Sequence, residues 1–517
     1  MKTVSIFNDV IGPVMRGPSS SHTAGAYHIG SLARSLLGEE FTHARFTFDP
    51  DGSYGKVYER QGADLGFTAG LMGWSVTDEL FPQALEVAAS AGKQIEFAVE
   101  ELSEADHPNS VDIELLSNGG RELKVGAKST GGGAIEITRL NGWPVLMTGR
   151  FHEVALELKS SEVDPALQLL TRDGEVKGDI ERQTGEELTL LLARRLSPLP
   201  AEILSQLRSL SGLKKLWIGE PVFFVERGTP LFSSAAEMVA LARDRDLSLG
   251  RLGLEYESAL LGLGADETLK EIGLRFEIMR SAVRLGLEEE PPPMQLLQPS
   301  AGSVYRAETR GELATGGIHT RAAARAMAVM HINAGMGVVC AAPTAGSAGV
   351  LPAVVCTLVE EKELGAEEAA LALLAAGAIG IIIAARATFA AEVAGCQVEI
   401  GAACAMAAAA VVEAAGGSAG QAADAAAISL QNSMGSVCDL VQGMVEIPCH
   451  TRNAAAASAA FLCADLIQGG YANPIPLDET IDAVYAVGKS LPPELRCTAL
   501  GGLAATPSAR ALERRRD

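Results

Sequence analysis

AALALLAAGAIGIIIAA, residues 369–385, runs seventeen positions without a charge. Such a run is either a membrane span or a helix inside a protein core. A span needs about 20 predominantly apolar residues, and Ala and Gly insert weakly. The run is barely long enough and is mostly Ala and Gly, so a buried helix is the reading adopted. Small residues would let neighbouring backbones approach closely. The composition around it agrees. From about residue 230 onward Ala and Gly dominate and strand signals are few. SSAAEMVALARDRD (233–246) opens with serine caps, and GADETLKEIGLRFEIMRSAVRLGL (264–287) is amphipathic. EEEPPP (288–293) reads as a loop or linker. The C-terminal unit, residues 225–517, is therefore expected to be all-helical.

The N-terminal part differs. ARFTFDP and SVDIELL read as strands, DELFPQALEVAASAG as a helix ending at Gly92, and STGGGAIEITRL as a glycine turn entering a strand. Residues 1–149 are thus expected to form an α+β domain. Between them, residues 150–224 carry VALELKS, DPALQLLTR, a strand near EVKGDIE, LTLLLARRL, PAEILSQLRSL and KKLWIG. That order is βαββαβ, the ferredoxin-like arrangement. Three domains suit 517 residues.

A formal net charge of −22 argues against nucleic acid or an anionic membrane as partner. A small anionic substrate held by a few local donors remains open. MKTVSIFNDVIGPVM is interrupted by Asn8 and Asp9 and does not read as a signal peptide. All eight cysteines lie beyond residue 339 in a long chain, unlike a secreted disulfide framework, so a reducing cytoplasm is expected.

CDLVQGMVEIPCHTRN (438–453) sets two cysteines eleven positions apart. In one helix their sulfurs would stand ~16 Å apart. Gly443 and Pro448 instead predict that the chain folds back and brings them together. Cys396 falls near the start of a helix read from Gln397 to Gly416, where the dipole favours a thiolate. Cys404, ~12 Å along that helix, reads as core. Cys396, Cys438 and Cys449 remain as a set. No CxxC is present, and spacing alone does not separate a metal centre from core cysteines.

GMGVVCAAPTAGSAGVLPAVV (335–355), GCQVEIGAACAMAAAA (395–410), CDLVQGMVEIPCHTRNA (438–454) and LPPELRCTALGGLAATPSAR (491–510), in that order, resemble the α domain of the iron–sulfur-dependent L-serine dehydratases (L-serine ammonia-lyases). RGPSSSHTAGAYHIG (16–30), HPNS (107–110) and STGGG (129–133) resemble that family's β domain, and residues 150–222 sit where some members carry an ACT-like domain. The resemblance implies a [4Fe–4S] cluster on Cys396, Cys438 and Cys449, with one iron open to substrate as a Lewis acid. It also implies a small amino acid as substrate and a homodimer. Pyridoxal phosphate is not expected, since Lys270, Lys362 and Lys489 lie in no recognisable setting and GSAG (346–349) is a common glycine turn.

Around that centre, Ser19, Ser20, Ser21 and Thr23 are capping residues that also suit a substrate carboxylate. His22 is the candidate acid or base. Arg452 can fork onto a carboxylate. Asn453, Thr344, Ser347, Asp64 and Asn109 complete the expected substrate-binding set. Three features depart from the family pattern. RQGADLG (60–66) keeps Asp64 but has Gln61 where the family's candidate base is histidine. PSAGSVYRAE (299–308) replaces the usual glycine turn. Cys497 lies twenty residues before the end, whereas some relatives cap the open iron with a terminal cysteine, and it is not assigned as a ligand. Three functions follow: an L-serine ammonia-lyase, a cysteine desulfidase-like lyase on the same cluster, or a catalytically silent paralogue, the last suggested by Gln61.

Overall fold

The computed structural model describes residues 3–288 and 291–514. Glu289 and Glu290 of the EEEPPP stretch therefore lie outside the described residues. Its first segment belongs to the helical region. Ile6–Val10 forms a wide helical turn, and the side chain of Ser5 caps it by accepting from the Asn8 amide. β1 (Val14–Arg16) then pairs antiparallel with β12 (Val338–Cys340).

A six-stranded sheet follows. β2 (Phe41–Phe48), β3 (Gln94–Val99), β4 (Ser110–Ser117), β5 (Glu122–Gly131), β6 (Ala134–Leu140) and β7 (Trp143–Met147) lie in the order β3-β2-β4-β5-β6-β7. Only β2 and β3 run parallel. Period-two alternation drives this sheet: Ala44, Phe46 and Phe48 of β2 point into a core shared with Ile113 and Val125. Helices Gly25–Leu37 and Ala63–Met72 cover that face through Ile29, Leu32, Leu36 and Phe67. They touch backbone to backbone, with no room for a Cβ at Gly70, which would stand 2.4 Å from the Tyr27 carbonyl oxygen.

The middle unit is a second sheet. β8 (His152–Lys159), β9 (Glu181–Thr184), β10 (Leu188–Arg195) and β11 (Leu213–Gly219) lie in the order β11-β8-β10-β9, with helices Val163–Thr171 and Ala201–Arg208 between strands. Numbered within the unit the order is 4-1-3-2, all neighbours antiparallel. The strand expected near EVKGDIE falls later, at Glu181–Thr184, because Gly174 and Gly178 both take positive φ and turn the chain before it.

Residues 235–511 contribute helices and the short β12. The uncharged run is helix Ala366–Arg386. It and Cys396–Ala414 are long and apolar enough to cross a membrane, yet 83% and 89% of their apolar windows are buried within the protein. Close packing explains the burial. A Cβ at Gly380 would lie 2.1 Å from Val10 Cγ1, and one at Gly377 2.8 Å from Ile6 Cγ2. The glycines thus form a notch filled by the N-terminal turn. The helix expected from Gln397 begins at Ile400, after a tight turn over Cys396–Val398.

Candidate active site

Four thiols, those of Cys396, Cys438, Cys449 and Cys497, lie near one another. Cys396 lies in the turn before helix Ile400–Ala414, and Cys449 is the first residue of helix Cys449–Gln468. Between Cys438 and Cys449 the chain does fold back: Gly443 takes φ 76°, and the Val441 amide donates to the Ile447 carbonyl at 3.0 Å. The sulfurs of Cys396 and Cys438 and a carboxylate oxygen of Glu399 lie within 4.8 Å of one another. Cys449 stands outside that trio but close enough to feel the charges of Cys396 and Glu399. All four cysteines at the site are buried, with exposures of 1% (Cys396), 2% (Cys438), 3% (Cys449) and 7% (Cys497).

Cys497 is the member that the sequence did not place. Its amide donates to the Cys438 carbonyl at 2.9 Å, while the Cys438 amide donates to Leu495, also at 2.9 Å. This bridge holds Cys497 at φ 60°, a left-handed conformation unusual for a side-chain-bearing residue. Its thiol lies close enough to that of Cys438 to push the Cys438 pKa up.

The donor set fits a metal centre. All eight cysteines are free thiols. Cys438 is pushed well up by hydrogen bonds to Cys396 and Cys497 and then by burial, and Cys449 is pushed up by burial and then by Cys396 and Glu399. Crowded, buried thiols repel one another as thiolates, and a soft cation relieves that repulsion. Arg452 already supplies one positive charge. Its Nη1 donates to the Val437 carbonyl at 2.8 Å and lies 3.7 Å from Cys396 Sγ. Its Nη2 is 2.9 Å from Asp439 Oδ1, an ion-pair distance without a well-aligned hydrogen bond. Burial works against the guanidinium charge, but Cys396, Asp439 and Cys449 outweigh it and raise its pKa.

The loop 344–349 forms one wall. Thr344 and Ser347 cap each other's amides, and Thr344 Oγ1 donates to Glu399 at 2.6 Å. Burial pushes the Glu399 carboxyl up to about 7 against that bond. Asn453 braces this wall rather than facing an open space: its Nδ2 donates to Gly346 and Cys449 carbonyls at 2.8 and 2.9 Å, and its Oδ1 accepts from Gly349 at 3.2 Å.

The N-terminal region supplies the opposite wall. Ser19 Oγ caps the turn by accepting from the His22 amide, and Ser20, Ser21 and Thr23 are buried in it. His22 is fully enclosed. Its Nδ1 bonds Ser21 Oγ at 2.9 Å and its Nε2 bonds Ser53 Oγ at 3.0 Å. Burial lowers its pKa to about 4, partly opposed by the charge of Glu392, so the ring is neutral at pH 7. Thr23 Oγ1 donates to the Gln61 carbonyl at 2.7 Å. Gln61, 1% exposed, turns its Nε2 to the Gly443 carbonyl at 3.4 Å and to Cys497 Sγ at 3.8 Å. Asn109 donates to Glu392 Oε1 at 2.6 Å across the two regions. Asp64 is different. It sits half-buried in the first turn of helix Ala63–Met72, its Oδ1 accepting from the Leu65 amide, and burial raises it to about 6. No described contact ties it to the thiols.

Over residues 167–504 the chain matches the family described as serine dehydratase alpha chain. The chain belongs to that family. Among its relatives, the probable L-serine dehydratase alpha chain of Bacillus subtilis is 37% identical over 285 residues, covering 55% of this chain and 95% of that one. The L-serine dehydratase alpha chain of Peptoniphilus asaccharolyticus is 34% identical over 285 residues, or 55% and 98% of the two chains. The probable beta chain of the Bacillus subtilis enzyme is 44% identical over 149 residues, covering 29% and 66%. Alpha-type and beta-type serine dehydratase parts are thus joined in one chain, which is why residues on both walls come from a single polypeptide.

Proposed function

We propose that this chain is an L-serine ammonia-lyase, converting L-serine to pyruvate and ammonia, with a [4Fe–4S] cluster held by Cys396, Cys438 and Cys449. The observation that carries the reading is the convergence of these cysteines, from two separated segments, at a buried point that the His22 turn reaches through Thr23, Gln61 and Cys497. When bound, the cluster supplies a Lewis acid for the substrate hydroxyl.

The chain's own residues do the rest. Arg452 balances the negative charge of the thiolates beside Cys396. The Thr344–Ser347 loop and Asn453 fix the wall against which the substrate lies. Leaving of the hydroxyl requires loss of the Cα proton to a general base. Gln61 has no basic site. His22, uncharged at neutral pH and oriented by Ser21 and Ser53, is the group we assign to hold that proton. The enamine product tautomerises and hydrolyses without the protein. Residues 150–224, with their 4-1-3-2 sheet, we read as an ACT-like unit with a structural role between domains 1–149 and 225–517, in a cytoplasmic homodimer.

Gln61, seated against Cys497, favours one second reading, a chain that keeps the cluster site without serine turnover. Anaerobic purification with iron and sulfide analysis, followed by pyruvate release from L-serine and from L-cysteine, tests both. Brown protein and pyruvate from serine are expected. Release from cysteine alone makes the enzyme a desulfidase-type lyase, and iron-loaded protein releasing neither product selects the second reading.

A further inference from the structure

Glu392 is a buried carboxylate, 6% exposed, with one hydrogen bond, from the neutral amide of Asn109 at 2.6 Å. Among the described residues no Lys, Arg or His lies within ion-pair distance of it, although the His107 ring is near enough for Glu392 to favour its charged form, and nothing donates to its second oxygen. Asn109 is fully buried, yet its Oδ1 has no donor either. Glu153 shares such a deficit, its Oε2 lacking any donor, but burial pushes its carboxyl up to about 8 and so keeps it neutral, whereas Glu446 is saturated. Glu446 accepts three consecutive backbone amides, from Gln295, Leu296 and Leu297, at 2.8–2.9 Å. A buried carboxylate that lacks a cation is costly, as is a buried amide oxygen without a donor. Both deficits occur at one place, and both are acceptors.

That place is the seam of the site. Gly131 at the end of β5 packs on Ala390, where a Cβ would stand 2.9 Å from the Ala390 Cβ. Glu392 is the second residue of the short turn Ala391–Ala394 that leads to Cys396, four residues on. Its charge is felt at His22 and Tyr54 on one wall and at Glu399 on the other. An ammonium group offers three donors and a positive charge.

We propose that Glu392 and Asn109 form the receptor for the substrate's α-ammonium group, Glu392 supplying the charge and Asn109 Oδ1 a second acceptor. The inference rests on the amino-acid-lyase reading above. It makes the site selective for α-amino acids over otherwise identical hydroxy acids, because the deaminated analogue leaves the carboxylate unpaired.

The test uses cluster-loaded protein and two ligands, L-serine and 3-hydroxypropionate, which is serine without its ammonium. Turnover gives KM and kcat for serine and an inhibition constant for 3-hydroxypropionate, and calorimetry gives the affinity of both. In Glu392→Gln, which keeps size and shape, serine binding weakens by about 100-fold while 3-hydroxypropionate binding stays within a few-fold. Glu392→Asp retains the charge and is expected to recover part of the loss, and Asn109→Ala weakens serine by about 10-fold. Equal weakening of both ligands, or unchanged serine affinity in Glu392→Gln with iron content and circular dichroism as in wild type, overturns the proposal. Wild-type protein that binds serine without releasing pyruvate overturns the lyase reading alone, and the affinity ratio still decides the receptor. Wild-type protein that does not bind serine overturns both.

Discussion

Two of the junctions that join the N-terminal segments to the helical region are each built on a buried glutamate. At the first, Glu257 accepts from Ser5 Oγ at 2.5 Å and from the Ile6 and Phe7 amides at 2.8 and 2.9 Å. Next to it, Arg150 is clasped between Asp9 and Glu226. At the second, Glu392 receives one neutral donor. The burial is alike and the completeness is not. A saturated polar network fixes a junction, whereas a deficient one stores a demand that a ligand can meet.

Breaking the two junctions therefore gives different phenotypes. The largest effect is expected at the thiols between them: Cys438→Ser should lose bound iron and reduce turnover of serine by ~10³-fold or more, the scale of a missing Lewis acid, read by iron analysis and pyruvate release. Glu257→Ala strands three donors and should cost about 3 kcal/mol, lowering the urea midpoint while the folded protein keeps its kcat. Glu392→Gln, by contrast, removes an unpaired charge and should not lower that midpoint. A parallel fall in both variants would erase the contrast drawn here.

Protonation sharpens the comparison further. His22 and His28 are both enclosed, and burial lowers each pKa from 6.5 to about 4. Between these values the unfolded chain binds more protons than the folded one. Stability is therefore fully present above pH 6.5 and lost as pH falls toward 4, by on the order of 3 kcal/mol per ring. His28 bonds the Gly133 carbonyl at 2.8 Å and packs on Phe223, away from the thiols. His28→Gln should flatten the acid slope of the unfolding midpoint and preserve kcat. His22→Gln should flatten the slope and abolish turnover. The smallest effect is expected at Cys404, a thiol that burial pushes to about 12 in the helical core. Cys404→Ala should cost about 1 kcal/mol and leave iron content unchanged.

Much of this was legible because it is local. The strand signal in ARFTFDP, serine caps and the βαββαβ order each depend on neighbours in sequence, and the fold-back at Gly443 follows from one backbone preference. The helix boundary at Ile400 was missed by a few residues, since the turn over Cys396–Val398 is set by packing against the loop that carries Cys438. Cys497 was illegible for a stronger reason. What brings it to the thiols is a backbone bridge to a residue 59 positions earlier, which no spacing rule encodes. Asn453 was placed in the substrate-binding set because it follows the last of the three cysteines, and its three partners across the fold, which brace the loop 344–349, are not encoded by any spacing. Glu392 and Glu399 did carry a signal. They are the only charges between Arg386 and Glu413, and a charge in so apolar a run must be answered by something.

The notch at Gly377 and Gly380 has its own consequence. Ile6 and Val10 fill it from some 370 positions away, while β1 is hydrogen-bonded to β12. The opening of the beta-type part is thus inlaid in the alpha-type part like a dovetail. Severing the backbone between the two would leave halves that still grip each other, so covalent fusion and separate subunits become interchangeable ways of building the same cleft.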